Sequence, residues 1–292
     1  MNQAKSSISN YLSLIKFSHT VFALPFAVIG YFLAITFTPA TFDIRLFALV
    51  ILCMVFARSA AMAFNRFIDR RIDEKNERTA IREIPAGIVK PGSALFFVIL
   101  NCLLFIATTY FINRLCFLLS PVALAVVLGY SLTKRFTALC HLILGVGLAL
   151  APIGAYLAVT GSFAWLPLFF SFAVLFWVSG FDIIYALQDE EFDRSFNLKS
   201  IPVWLGKKGA LALSVVLHCF SAGFVIYAGF YAHFNIWYWI GVTIFSGLLI
   251  YQHTLVKPND LSKVNIAFFT TNGIASVIFA VFVLIGLYTN AI

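Results

Sequence analysis

Nine stretches of this chain are apolar for long enough to cross a bilayer, at residues 20–37, 44–64, 93–112, 115–132, 138–160, 165–187, 210–231, 235–254 and 266–288. A helical span takes about 20 such residues. Polar punctuation separates the runs, and the short Asn113-Arg114 link turns the third and fourth into a tight hairpin. Lipid offers the backbone no hydrogen bonds, so the runs are predicted as helices. The expected fold class is therefore all-α. It is a polytopic membrane protein of about nine transmembrane helices around a central cavity, forming one integral-membrane domain over residues 1–292.

Composition supports that reading, because 62% of the 292 residues are hydrophobic and 11% charged, against about 25% charged in soluble domains. The charges also fix an orientation. Seventeen of the twenty Lys and Arg fall on the N-terminal side or in the loops after the second, fourth, sixth and eighth runs. By the positive-inside rule these segments are expected in the cytoplasm, in a cell (inner) membrane. Met1 to Asn10 is polar, and no cleavable leader is expected. A basic cytoplasmic face alone needs nothing beyond anionic lipid, and no nucleic-acid partner is expected. Cys53, Cys102, Cys116, Cys140 and Cys219 are scattered through apolar stretches without metal-type spacing and read as small buried hydrophobes. His19 and His141 could touch a site, but each reads first as a helix-end or packing residue.

The acids are less ordinary. Ten of the twelve lie in two places: Asp69, Asp73, Glu74, Glu77 and Glu83 after the second run, and Asp182, Asp189, Glu190, Glu191 and Asp193 at the end of the sixth. Each group contains Asp at i and i+4, and each is followed by Ile-Pro, at Ile84-Pro85 and Ile201-Pro202. The offset predicts two related four-helix halves plus one further helix, with the acid pairs facing each other across the cavity. Carboxylates beside hydrocarbon are costly and mark function. On a helix, i and i+4 lie one above the other, so each pair forms an acidic ledge. Arg58, Met62, Asn65, Asp69 and Asp73 share one face of the second helix, and Asp182, Tyr185, Asp189 and Asp193 one face of the sixth.

Carboxylate oxygens are hard ligands suited to Mg2+, which keeps waters and shares substrate phosphates. Such ions would let acidic ledges hold a diphosphate, with Arg70, Arg82, Lys134, Arg135 and Lys199 as nearby cations. Taken singly, each of these is explained as part of a solvated basic rim. A diphosphate at the mouth of a greasy cavity points to an isoprenoid tail, which some of the 33 Phe would line.

These residues resemble the UbiA prenyltransferase family. Its first signature, Asn-Asp-x-x-Asp-x-x-x-Asp, is matched by Asn65, Asp69 and Asp73. Its Arg-Thr-x-x-Arg-Pro-Leu-Pro-x-Gly loop is similar to Arg78-Thr79 and Arg82-Glu83-Ile84-Pro85-Ala86-Gly87. Arg58 matches a recurrent Arg seven residues before the Asn. The second signature is matched by Asp182, Tyr185, Asp189 and Asp193, with Lys199-Ser200 behind, and Tyr130 to Lys134-Arg135 resembles the basic end of the fourth helix. One departure is Arg66 in place of the family's second Asp; it is expected to touch diphosphate or a neighbouring acid. The start, Lys16 to Pro25, looks most like the 4-hydroxybenzoate branch, which includes members serving the futalosine route to menaquinone.

The resemblance implies Mg2+-dependent transfer of a polyprenyl group from polyprenyl diphosphate to an aromatic acid in ubiquinone or menaquinone biosynthesis. 4-Hydroxybenzoate is favoured and a dihydroxynaphthoate of the futalosine pathway is second. It implies metal ligation by Asp69, Asp73, Asp189 and Asp193 with Asn65 assisting, and diphosphate contacts from Arg70, Lys134, Arg135 and Lys199. Arg58 or Lys16 would pair with the acceptor carboxylate, and Asp182 or Tyr185 would take or relay the ring proton. Alternatively Arg58 is a buried partner of Asp182. The rival class is an ion-coupled transporter, which would put its acids nearer the membrane midplane. A structural or quinone-binding subunit would need no acid pairs.

Overall fold

A computed structural model describes residues 7–14 and 22–290. The described chain is all-α: α1 Ser7–Leu14, α2 Leu24–Phe37, α3 Ile44–Asp73, α4 Pro91–Tyr110, α5 Arg114–Thr133, α6 Cys140–Thr160, α7 Trp165–Ala186, α8 Glu190–Ser195, α9 Ile201–Tyr231, α10 Ile236–Leu255 and α11 Asn272–Asn290, the last preceded by a π-helical turn at Ile266–Thr271. Every predicted apolar run coincides with a helix. Among the described residues, seven helices are both long and apolar enough to cross a membrane. Leu24–Phe37 is apolar but only 14 residues long, and α10 dilutes its apolar run with Trp237, Tyr238, Trp239, Gln252 and His253.

The helices close into a ring. α3 packs on α4 and α5, α5 on α6, α6 on α7, α7 on α9, α9 on α10 and α10 on α11, while α2 is gripped between α6 and α11. The second half is the denser one. Phe26, Phe170, Trp177, Tyr238, Phe245 and Phe279 form a buried aromatic core there, and the Trp177 indole N–H donates to Asn272 Oδ1 at 2.9 Å. α2 can enter this packing because residue 30 is glycine: a Cβ there would lie 2.0 Å from the Pro152 carbonyl oxygen of α6. Gly30→Ala is expected to push α2 off α6 at a cost of about 1–3 kcal/mol. A lower thermal midpoint in detergent is the check, and an unchanged midpoint would refute the close-packing argument.

Four element ends depart from the sequence reading, and each matters for the site. α3 does not stop at residue 64 but runs to Asp73, so the first acid pair is part of a 30-residue helix. α7 stops at Ala186 and passes through a 3-10 turn at Leu187–Asp189 into the short α8. Asp182, Tyr185, Asp189 and Asp193 therefore do not share one continuous face, because the 3-10 turn changes the azimuth between the first two and the last two. α9 begins at Ile201 rather than 210, and its first turn is set off by a kink at Gly206, whose φ of 68° favours glycine. Lastly, the polar N-terminus contains α1. Its Leu14 packs with Ala63, Ile84, Val89, Ala94 and Val98, its Tyr11 stacks on Phe97 at 5.0 Å, and its Ser13 hydroxyl donates to Glu83 Oε1.

The loops after α3, α5, α7 and α10 gather at one end of the ring. The Lys199 N–H donates to the Lys134 carbonyl at 2.7 Å, Arg78 reaches Asp189, and Val256 and Val264 pack with Leu187 and Ile201.

Candidate functional site

Asp69 and Asp73 occupy the last turns of α3, where the helix dipole is negative and disfavours carboxylates. Both are buried, 2% and 4% exposed. Three cations from two other segments make this tolerable. Lys134 and Arg135, at the end of α5, approach Asp69: Nζ lies 3.3 Å from Oδ2 and Nη2 2.8 Å from Oδ1. Asn65, one turn earlier, donates to Asp69 Oδ2 at 3.3 Å. Arg82 Nη1 meets Asp73 Oδ1 at 2.6 Å.

The loop over residues 74–90 supplies both Arg82 and Arg78, one to each acid pair. It is tied back to α3 by the Thr79 hydroxyl on the Asp73 carbonyl and shaped by the Asn76 side chain, which accepts the Arg78 N–H at 3.0 Å. Arg78 then reaches across the ring. Its Nε and Nη2 donate to the two oxygens of Asp189 at 3.1 and 2.5 Å, and its Nη1 to the Tyr185 hydroxyl at 3.1 Å. Asn76 adds a donor to Asp189 Oδ1 at 3.2 Å. Such a fork is the strong form of carboxylate pairing. Burial alone would lower the proton affinity of the Arg78 guanidinium. Asp189, with help from Tyr185 and Asp73, more than reverses this and leaves its pKa raised. Asp193 is also buried, close to Lys134, Asp189 and the Ser200 side chain. Lys134, paired with Asp69, also acts electrostatically on Asp193, and Arg78 ties the loop after the first motif to Asp189 of the second.

The donor set fits a divalent cation of the Mg2+ type. It is all oxygen, and Asp73 Oδ2 is buried with no hydrogen-bond partner. Among the described residues no three acidic, His or Cys side chains converge as a ready cage. Magnesium, which keeps waters and binds through one or two carboxylates plus phosphate oxygens, needs none.

Other expected site residues fall elsewhere. The Arg70 guanidinium lies over the Phe67 ring, 4.4 Å from its centroid, and donates to the Phe67 carbonyl. Lys199 is exposed and contributes its backbone. Tyr185 stacks on Phe268 at 4.1 Å. Arg66 is buried, and its Nε has no hydrogen-bond partner. Asp73 and Glu83 attract it and Arg82 repels it. Lys16 and His19 lie outside the described residues. Asp182 is paired with His141 rather than Arg58, at 2.7 Å. The sequence reading gave no defined site role to Arg78 or Asn76, and for His141 only a possible site contact set behind packing. Only the Arg-Thr resemblance pointed towards the first of them.

A cavity of about 370 Å³ lies between α3, α4, α5 and α6, walled by residues such as Cys53, Met54, Leu119 and Leu148. Arg58 is the one charged residue among its described lining, with Tyr130 also in the wall. The Arg58 Nε is buried and unpartnered. Along α3 the chamber runs from Met62 to Val50, about 18 Å, and Asp69 stands about 16 Å from Arg58. Tyr130 feels the charges of Asp69, Asp182 and Arg66, so it marks the boundary between chamber and acids.

Comparison with known proteins gives this arrangement a family. A 4-hydroxybenzoate octaprenyltransferase of Nitrosomonas europaea is 31% identical over 238 residues, covering 82% of this chain and 81% of its own. The relative from Nitrosomonas eutropha, of the same name, is 30% identical over 82% of this chain and 83% of its own. The apo structure of a UbiA homologue from Aeropyrum pernix superimposes with a TM-score of 0.82 at 30% identity, covering 91% of this chain and 97% of that one. A UbiA homologue from Archaeoglobus fulgidus, bound to GPP and Mg2+, has the same fold, with a TM-score of 0.72 at 22% identity over 96% of this chain and 99% of that one. Nothing favours the carrier reading: the acids sit at helix ends beside loop cations. With the UbiA prenyltransferase pattern matching residues 23–274, the chain belongs to the UbiA prenyltransferase family.

Proposed function

We propose that this prenyltransferase moves a polyprenyl group from polyprenyl diphosphate to an aromatic acid, 4-hydroxybenzoate being the favoured acceptor. The observation that carries the reading is that the loop after the first acid pair sends Arg82 to Asp73 and Arg78 to Asp189, with Lys134 on Asp69, beside an apolar chamber with one guanidinium in its wall. The relatives named for 4-hydroxybenzoate support the acceptor class, and the archaeal homologue holding GPP and Mg2+ supports the donor and the metal. The basic loops gathered at one end support a site on the cytoplasmic face of the cell membrane.

Asp69, Asp73, Asp189 and Asp193 would hold magnesium, with Asn65 orienting Asp69. Bound there, it would supply Lewis-acid charge to the diphosphate oxygens. Arg78, Arg82, Lys134 and Arg135 exchange their carboxylates for phosphate oxygens and stabilise the charge that grows on the leaving diphosphate. As the allylic C–O bond breaks, its electron pair leaves with diphosphate. A ring carbon of the acceptor then bonds to the allylic carbon through the ring π electrons. Apolar walls keep water from the cation. Arg58 binds the acceptor carboxylate by a charge-assisted contact in a dry setting. Asp182 accepts the ring proton; Tyr185, whose hydroxyl is engaged by Arg78, is the poorer base.

The test is purified protein with a polyprenyl diphosphate, Mg2+ and a panel of aromatic acids, read by product mass. A prenylated 4-hydroxybenzoate is expected. A prenylated dihydroxynaphthoate alone would move the acceptor to the bicyclic class, and no prenylated acid at all would overturn the proposal. Exhaustive chelation is expected to stop turnover and added Mg2+ to restore it; full rate in chelator would remove the metal from the scheme.

A further inference from the structure

His141 is the second residue of α6 and is 4% exposed. Both of its ring nitrogens are engaged. Nδ1 lies 2.7 Å from Asp182 Oδ2, and the Ile201 backbone N–H donates to Nε2 at 3.3 Å. A backbone N–H can only donate, so Nε2 carries the lone pair and the proton of the neutral imidazole sits on Nδ1, donated to Asp182. Ile201 opens α9, and its N–H is one of the donors that a helix start leaves unpaired. The fold therefore uses a helix end to set a tautomer. Asp182 is less enclosed than its partner, with 23% of its side chain exposed against 5% for His141. Oδ2 is thus held from behind while Oδ1 is left for another partner. On α6 the chamber-wall residue Leu144 stands one turn from His141, so the Asp182 carboxylate that His141 holds lies near the end of the chamber, where the acceptor ring would lie.

We propose that His141 is the positioning residue for proton removal, holding Asp182 by Oδ2 so that Oδ1 takes the ring proton. This rests on the assignment of that proton to Asp182 made above. After the new C–C bond forms, the reacting carbon carries both the prenyl group and its hydrogen. The C–H bond breaks, its electron pair returns to the ring, and the proton moves to Oδ1 and leaves to water after product release. His141 gains and loses no proton in this step. A neutral donor orients the carboxylate without the loss of basicity that a full positive charge beside it would cause. The helix-end reading of His141 is correct as to place; its partner across 41 residues is what sequence could not supply.

The experiment compares ring-protiated and ring-deuterated acceptor with the full-length protein in detergent. With ionisation of the allylic diphosphate limiting, the wild type is expected to use both at equal rate. In His141→Gln the amide moves towards the Nε2 position and the donor to Asp182 is withdrawn. A fall in kcat of about tenfold is expected, with an isotope effect of roughly 2 or more, while the acceptor KM stays within about twofold. His141→Asn puts an amide N–H near the place of Nδ1–H and is expected to recover most of the lost rate and abolish the isotope effect. Asp182→Asn serves as the reference. An isotope effect there but none in His141→Gln overturns the role of His141 alone. No isotope effect and near-native turnover in Asp182→Asn overturn the proton assignment itself. If the Gln variant does not fold, the Asn variant decides: recovered turnover supports the donor role, and a rate as low as that of Asp182→Asn ends it.

Discussion

Replacing Asp189 with Asn is expected to lower turnover by about 10²–10³-fold, the scale of losing one preorganised electrostatic partner of the transition state. Asp189 is the meeting point of the two halves. It receives two bonds from Arg78 and one from Asn76, all from the loop after α3. An amide keeps the shape but loses the charge that would hold a divalent ion and that sets where Arg78 waits. The protein should still fold, because Asp189 and Arg78 retain 20% and 32% exposure and can turn to water when unpaired. Asp69→Asn should behave alike, its former cations Lys134 and Arg135 being 29% and 27% exposed. The measurement is turnover at saturating substrates beside a thermal melt of the same preparation. Near-native turnover in both variants would sink the metal assignment.

Arg58→Gln is expected to raise the acceptor KM by about 10–10²-fold with a much smaller change in kcat, since a hydrogen bond to a charged group contributes about 1.5–3 kcal/mol. Arg58 has no anionic partner in the described structure to share it with: Asp182 is taken by His141, and the Arg58 Nε is buried without a bond. A methyl ester of the acceptor should lose most in the wild type and little further in the variant. An unchanged KM for the free acid would show that the carboxylate binds elsewhere. The same substitution removes an uncompensated charge from an apolar chamber, so the variant is expected to melt higher than the wild type.

Much of the fold was legible in the sequence because lipid makes the rules local. An apolar run must be a helix, and basic loops alternate with it, so the nine runs found their helices. The ends were less legible. α3 extends through Asn65, Arg66 and Asp69 because partners beyond the helix neutralise its polar last turns, and no hydropathy pattern contains those partners. The break after Ala186 is equally invisible, since the residues from Leu187 to Ser195 suit a continuous helix as well as two pieces. Of the site, the acids stood out because each is costly and their spacing repeats. Of the cations, Arg82, Lys134 and Arg135 were legible as candidates and do meet the acids, but Arg78 did not stand out, because Lys and Arg are common in the loops at this end. Sequence proximity favoured Arg70, yet its guanidinium lies on Phe67, while Arg78 and Arg82 reach the acids through a loop whose path depends on Asn76 and Thr79.

Residue order alone is enough to put this protein in a bilayer as a helical bundle, to mark two acid pairs where apolar segments end, and to say to which family such pairs belong. These follow from free energies that each segment settles alone: the burial of apolar surface in lipid and the closing of backbone hydrogen bonds. Tertiary structure decided which cation meets which acid, that the chamber opens beside α3 with Arg58 in its wall, and that His141 backs Asp182. Those are sums over side chains brought together from separate helices, and a charge in a low-dielectric interior takes its meaning from whatever stands within a few ångströms of it.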